Sequence, residues 1–451
     1  MANENKGIYF TELKLQNVRC FGDEAILKLS NDKGEWQKWN VILGDNGTGK
    51  TTLLQCLAGM EQEEFRRQDN NSNEIAWLPK IFNHRENFSL ISLNEKESKD
   101  AIVIAVISLS IEEFITLDFK EYSKVNKEGP ITSTSLIKEK RIEDFFIIGY
   151  GANRRISFNI FSQKEITPHN SATLFDDDAK LINAEEWLLQ MDYAVKSSID
   201  SKMKEFLEKR RDNILQIQKE ILPEITDIKF EPDIITQIPK IQYKTPYGWV
   251  GIKQLSFGYK TMVAWIVDVA ARMVEKYPKS PNPLHEPVVI LVDEIDLHLH
   301  PKWQRDIFDF LEKRFPNAQF IVTAHSPLIV QSAPKDANII VLKKEKVGDE
   351  FIVKIINDKN FVRNWRIDQI LSCDLFDIGT RNPEVEKLME ERTKLIQKAK
   401  LTTKEQERLD ELNEVSHSLP TANTKEEIDA MEIIKQAAAF LKNKKIQNDQ
   451  N

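Results

Sequence analysis

Cysteine, glycine and long apolar runs are all scarce in this chain, and each scarcity excludes a class of protein. Three cysteines, Cys20, Cys56 and Cys373, are spread over 451 residues. They show neither pairing nor metal-ligand spacing, which excludes a disulfide-stapled scaffold and fits a reducing cytoplasm. Only 15 glycines, beside 41% hydrophobic and 30% charged residues, exclude a fibrous or disordered chain and fit a helix-rich globular one. The longest apolar stretch, "AIVIAVISLSI" at 101–111, is too short to cross a bilayer as a helix. The start, "MANENKGIYF", lacks the basic opening and apolar middle of a signal peptide, so no membrane association is expected. A net charge of −8 gives no global attraction to nucleic acid. Contact with it would need a local basic patch, and "KEKR" (138–141) and "EKRR" (208–211) read as solvated faces.

What the chain does have is length for a large core, two or three domains by size alone. Its start reads as strands: "IYFTELKLQNV" and "AILKLS" alternate apolar and polar residues, and "WNVILG" is apolar throughout. Polar stretches at 61–100 and 122–141 read as surface insertions around the strand-rich "AIVIAVISLSIEEFITLDF", and "DFFIIGYG" reads as a further strand. Leu188, Met191, Val195, Ile199, Met203 and Phe206 fall at helical spacing and predict a helical insertion of one or two elements at about 184–222. The core resumes with a hairpin at "KIQYKTPYGWVGIKQLS", two buried strands around the helix "PKWQRDIFDFLEKRF", and a last hairpin turning at Gly348. Residues 1–360 then form a head, and 361–451 a charged helical tail. Thr402 with Glu405 and Thr424 with Glu427 give that tail capping-box signals, and Pro420 separates two helices.

The chemistry concentrates in a few stretches. "GDNGTGKT", Gly44 to Thr51, lies between an apolar strand and a helix-forming run, the order a phosphate-binding loop requires. Gly44, Asn46, Gly47, Thr48 and Gly49 form a loop whose N–H groups wrap phosphate oxygens, Lys50 reaches the β and γ phosphates, and Thr51, followed by Thr52, ligates Mg²⁺. "VVILVDEIDL" delivers Asp293 and Glu294 at the end of a buried strand, where ligands of parallel sheets bind. Asp293 is the acidic partner of Thr51 at the metal, and Glu294 the group that polarises the attacking water. "FIVTAHSP" places His325 at the end of the next buried strand, positioned to sense a γ phosphate. His298 and His300 suggest metal only weakly and read as packing or interface residues.

"KQLSFGYKTMVAWIVDVAARM" resembles the L-S-G-G-Q signature of ABC-type ATPases, with Ser256 and Gly258 opening a long helix. With the loop, the Asp–Glu pair and the switch histidine it completes that family's set in that family's order. The fold it implies is α/β, an ABC-type P-loop head with a mixed sheet and flanking helices, helical insertion and helical tail. "LQNVRCFGDEAILKL" and "ILVDEIDLHLHPKWQRDIFDFLEKRFPNAQFIVTAHSP" are similar to the soluble ATPases of phage defence and DNA maintenance, among them the Septu-type defence ATPase, which acts with an HNH nuclease. The resemblance covers about residues 8–345.

It implies ATP and Mg²⁺ as cofactors and a head-to-tail homodimer or higher homo-oligomer, in which Ser256 and Gly258 of one subunit contact the γ phosphate held by another. It also implies an HNH-type nuclease subunit as partner, with the tail as docking element. Arg19 is placed near the base or phosphates. His300 stands where transporter ATPases carry a coupling Asp, and the Q-loop glutamine has no assigned position. Arg154 and Arg155 in "YGANRR" read either as part of a γ-phosphate or DNA sensor or as surface charges. Two alternatives stand beside the defence role: a repair or recombination ATPase that clamps nucleic acid, and a transporter's nucleotide-binding subunit, which the insertions and the tail disfavour.

Overall fold

The computed structural model describes residues 7–69, 72–79, 101–108, 114–126, 129–135, 145–157, 169–347, 350–357 and 383–418, apart from positions 23, 223, 233–236, 238, 397 and 399–401. The chain divides into two compact units, residues 1–370 and 371–451.

In the first unit, β1 (Tyr9–Gln16) and β2 (Ala25–Lys28) pair antiparallel. Phe10, Leu13, Leu15 and Leu27 turn inward, the alternation of a sheet with one buried face. β3 (Trp39–Gly44) is buried almost throughout and runs through the glycine-rich loop into α1 (Lys50–Ala58). The hairpin of β4 (Gln62–Asp69) and β5 (Ser72–Pro79) follows, and β6 (Ala101–Ser108), β7 (Phe114–Asn126) and β8 (Gly129–Ser135) extend the first sheet to the order β2-β1-β6-β7-β8. Much of the expected polar insertion at 122–141 is therefore strand.

Next come β9 (Ile147–Tyr150), the short α2 (Ala172–Phe175), α3 (Ala184–Ser197) and α4 (Ser201–Ile221). β10 (Asp227–Pro232), β11 (Pro239–Thr245) and β12 (Gly248–Gly251) make a small antiparallel sheet that leads to α5 (Phe257–Lys276). Of the one or two elements expected in the helical insertion, the structure has two helices. Leu188 and Val195 of α3 are buried, but the chain breaks at Ser198, Asp200 caps α4, and Ile199 between them is fully exposed.

The remaining elements of the head are β13 (Val288–Val292), α6 (Pro301–Arg314), β14 (Ala318–Ala324), α7 (Pro327–Ser332), β15 (Asn338–Val347) and β16 (Glu350–Asn357). The central sheet has the order β16-β15-β3-β14-β13-β9, parallel except for the edge strand β16. Every residue of β13 and β14 is buried, as both faces are covered. Buried Gln319 of β14 ties the two large sheets together: its Oε1 accepts the Phe10 N–H at 2.8 Å and its Nε2 donates to the Phe10 carbonyl at 2.7 Å. Because β3, β14, β13 and β9 are parallel neighbours, the segments that follow them emerge at one edge of the sheet.

In the second unit, α8 (Pro383–Ile396) and α9 (Thr403–Ser418) form a hairpin around Leu395, Leu409 and Leu412, with Leu388 against them. The capping box is present: the Thr402 N–H donates to the Glu405 carboxylate at 2.9 Å and the Glu405 N–H to the Thr402 hydroxyl at 3.4 Å. Leu388 and Leu395 of α8 thus pack against Leu409 and Leu412 of α9. Pro420, Thr424 and Glu427 lie outside the described residues, as do 138–141 and Cys373. Among the described residues, no helix is long and apolar enough to cross a membrane.

Candidate functional site

The glycine-rich loop works because backbone, not side chains, fills it. Gly49 caps α1 at φ +86°, and a Cβ there would lie 2.9 Å from the Phe21 ring. Gly44 leaves β3 at φ +156°, where a Cβ would meet the Leu342 carbonyl at 2.8 Å. Any other residue would be strained at both positions. The loop therefore brings its N–H groups and the positive end of α1 to one point, a built-in site for an anion.

Around that point lies a cleft of about 340 Å³ lined by Arg19, Cys20, Asn46, Gly47, Gly49, Lys50, Thr51, Thr52, Asp293, Glu294 and His325. The Lys50 ammonium donates to the Gly44 carbonyl at 2.7 Å and the Asp45 carbonyl at 3.0 Å, and burial pulls its pKa down against the pull of Asp293, Glu294, Asp45 and Asp296. The Thr51 hydroxyl donates to Asp293 Oδ2 at 2.6 Å, and the Thr323 hydroxyl to Asp293 Oδ1 at 2.6 Å. Thr323 also accepts the Glu294 N–H at 2.7 Å, so one strand neighbour positions both acids. Glu294 itself sits at φ +49°, a left-handed conformation that a non-glycine residue holds only when its surroundings impose it. The His325 N–H donates to the Asp296 carboxylate at 3.3 Å, and burial raises the Asp296 pKa. Thr48, buried beneath the loop, donates from its hydroxyl to the Asp45 carbonyl.

The donor set fits Mg²⁺ as a nucleotide-bound ion. A hydroxyl and a carboxylate, both hard oxygens, leave the remaining positions to phosphate and water. Among the described residues there is no cluster of three or more His, Cys, Asp or Glu that could hold a metal unaided. His298 and His300 each make a local structural contact. His300 Nδ1 accepts the Lys302 N–H at 3.3 Å and caps α6, while the His298 ring meets the exposed Phe257 edge-on, centroids 4.7 Å apart.

The structure brings together Asn46, Gly47, Gly49, Lys50, Thr51, Thr52, Asp293, Glu294 and His325, with Gly44 and Thr48 shaping the loop beneath them. Ser256 and Gly258 are not among the residues lining the cleft. They open α5, Ser256 exposed and Gly258 placed so that a Cβ would lie 2.9 Å from the His298 carbonyl. Arg19, exposed and at φ +48°, reaches Thr52 and Gln55 of α1 at 3.3 and 3.4 Å, beside the phosphate loop.

Of the two arginines left open by the sequence, Arg155 is a surface charge paired with Asp178, and Arg154 is not: only 6% exposed, it donates to the Glu294 carbonyl at 2.6 Å. Lys344, which donates to the Asn46 carbonyl at 2.9 Å, gave no signal in the sequence. Nor was the buried network behind the site foreseen: Asp268 of α5 accepts from the Arg272 guanidinium at 2.6 Å and the Tyr150 hydroxyl at 2.7 Å. An Asp and an Arg four apart on an otherwise apolar helix were its only trace.

A phosphate loop, an Asp–Glu pair and a histidine at the ends of adjacent parallel strands, with a signature segment opening a buried helix, define an ABC-type P-loop ATPase head. Residues 39–331 match the family described as "AAA domain, putative AbiEii toxin, Type IV TA system", and the chain belongs to that family. The chain is similar to the "Retron Vc95 probable ATPase" of Vibrio cholerae serotype O1 biovar El Tor, 26% identical over 387 residues, covering 74% of this chain and 75% of that one. It is also similar to the Septu protein PtuA of Bacillus thuringiensis, 23% identical over 388 residues, covering 82% of this chain and 85% of that one. The Septu protein PtuA of Bacillus mycoides (strain KBAB4) is 22% identical over 387 residues, covering 83% of this chain but only 46% of the relative's length.

Proposed function

We propose that this chain is the ATP-binding and hydrolysing subunit of a cytoplasmic anti-phage defence system, and that it controls a partner HNH-type nuclease through ATP-dependent head-to-tail dimerisation. The observation that carries the reading is the convergence of Lys50, Thr51, Asp293, Glu294 and His325 on one cleft. The similarity to Septu proteins supports the defence setting. Lys50 and the N–H groups of the loop hold the β and γ phosphates. Thr51 and Asp293 would hold Mg²⁺, which would neutralise phosphate charge. Glu294 orients and deprotonates the attacking water, and His325 reports the γ phosphate to the turn that begins at Asp296. Ser256 and Gly258, exposed or half-buried at the N-terminus of α5, meet the γ phosphate of a second subunit.

The test is co-expression with an HNH-type reading frame adjacent to the gene, followed by pull-down and a DNA-cleavage assay with ATP, without ATP, and with Lys50→Ala. Co-purification, with cleavage that responds to ATP and to Lys50→Ala, is expected. A nuclease that neither binds nor changes its activity contradicts the regulatory role. Tight, ATP-dependent DNA binding by the chain alone would favour a nucleic-acid clamp instead.

A further inference from the structure

We infer that Arg154 is a positioning residue for hydrolysis, holding the Glu294 main chain so that its carboxylate faces the attacking water. The inference rests on the proposed role of Glu294 as the base and concerns a residue outside the cleft.

Arg154 lies four residues beyond Tyr150, on the turn that leaves β9. β9 is the neighbour of β13, and the Asp293 N–H donates to the Tyr150 carbonyl at 2.8 Å, so this turn is fixed against the start of the acidic segment. The Arg154 Nη2 donates to the Glu294 carbonyl at 2.6 Å and to the Asp293 carbonyl at 3.4 Å. Its Nε is buried and has no hydrogen-bond partner among the described residues. The guanidinium carbon lies 6.0 Å from the centre of the Trp265 ring in α5, the helix that the signature segment opens.

A buried guanidinium is costly, and a purely structural one would be expected to spend its donors on a carboxylate in a paired bridge. Here three carboxylates, Asp293, Glu294 and Asp296, are close enough to raise the Arg154 pKa against a burial that brings it down to about 10. Its hydrogen bonds nevertheless go to main-chain oxygens. Those oxygens flank the peptide at which Glu294 takes its left-handed conformation. Thr323 holds the Glu294 N–H on one side, and Arg154 and the Leu297 N–H share its carbonyl on the other. Removing the guanidinium frees one side of a strained residue whose side chain must be accurately aimed. Loss of aim costs rate rather than affinity, since the phosphates are held by the loop and not by Glu294.

The experiment is a double-mutant cycle on the full chain, Arg154→Met and Glu294→Gln singly and together, read by single-turnover ATP hydrolysis, Mg-ATP affinity and thermal melting. Arg154→Met is expected to slow turnover about a hundredfold, to leave Mg-ATP affinity near the parent's, and to add no further loss in the Glu294→Gln background. Arg154→Lys, which retains a donor for the same carbonyl, is expected to recover part of the rate. Equal losses from Arg154→Met in both backgrounds, or a loss confined to affinity, overturn the inference. If Arg154→Met melts below the assay temperature, Arg154→Gln is carried through the same cycle and judged by the same outcomes. A parental rate for Glu294→Gln alone would instead overturn the assignment of the base, so the two failures are distinguishable.

Discussion

The two halves of an ABC-type site differ sharply within this one chain. At the ends of β3, β13 and β14, the acids and the lysine are bonded and buried or half-buried: Lys50 to the loop carbonyls, Asp293 between Thr51 and Thr323, Glu294 between Thr323 and Arg154. At the start of α5, Ser256 is exposed and Phe257 is 60% exposed, directly beside the signature glycine. The first half is assembled in cis. The second presents polar and aromatic groups outward, which is the arrangement the proposed contact with a second subunit requires.

The strongest expected effect strikes what joins the two halves. Asp268→Ala strips the acid from the buried Tyr150–Asp268–Arg272 network and leaves a buried guanidinium without its carboxylate, at a cost of about 3–5 kcal/mol. Denaturant unfolding checks this, and a change below about 1 kcal/mol would show that the network does not fasten β9 to α5. Next in size, Glu294→Gln is expected to slow hydrolysis about a hundredfold, about 2.7 kcal/mol in barrier, while Mg-ATP affinity holds. Turnover at the parental rate would remove Glu294 from the chemistry. Lys50→Ala sharpens the same half by the opposite signature: calorimetry should show Mg-ATP affinity lowered by about 1.5–3 kcal/mol, the worth of a charged hydrogen bond. Unchanged affinity would mean that the ammonium stays on the loop carbonyls. The smallest effect is expected outside the head, where Thr402→Ala removes the cap of α9 and should loosen the tail hairpin by about 1 kcal/mol. Hydrogen exchange at 403–406 reads this, with ATP turnover as the control expected to stay put.

Much of the cis half was legible because its determinants are local. A loop with glycines at set offsets, an acidic pair after an apolar strand and a histidine after the next one each announce themselves within ten residues, and β3, β13 and β14 stood out as apolar runs. Arg154 was not legible, because nothing about "YGANRR" shows which of two adjacent arginines turns inward; only the pairing of β9 with β13 decides it. Thr323 looked like an ordinary strand residue until its neighbour's acids arrived opposite. The stripe through Ile199 left one helix or two open, because period alone runs across a helix break, and Asp200 caps a new helix one residue later. The end of β7 and all of β8 read as an insertion because they carry few apolar residues, although β7 pairs with β6 and β8 with β7, their neighbours in sequence.

Gly258 sits against the His298 carbonyl, so a bulky residue there would disturb the subunit's own turn after Glu294 as well as any contact with a second copy. Exposed Ser256 gives the cleaner probe of a shared site. The most direct measurement mixes Lys50→Ala subunits with Ser256→Glu subunits, each inactive alone, and follows ATP hydrolysis in verified mixed dimers. One composite site then combines an intact phosphate loop with an intact signature, and partial activity is expected to return. No recovery in such dimers would contradict the claim that the signature of one chain completes the site of another.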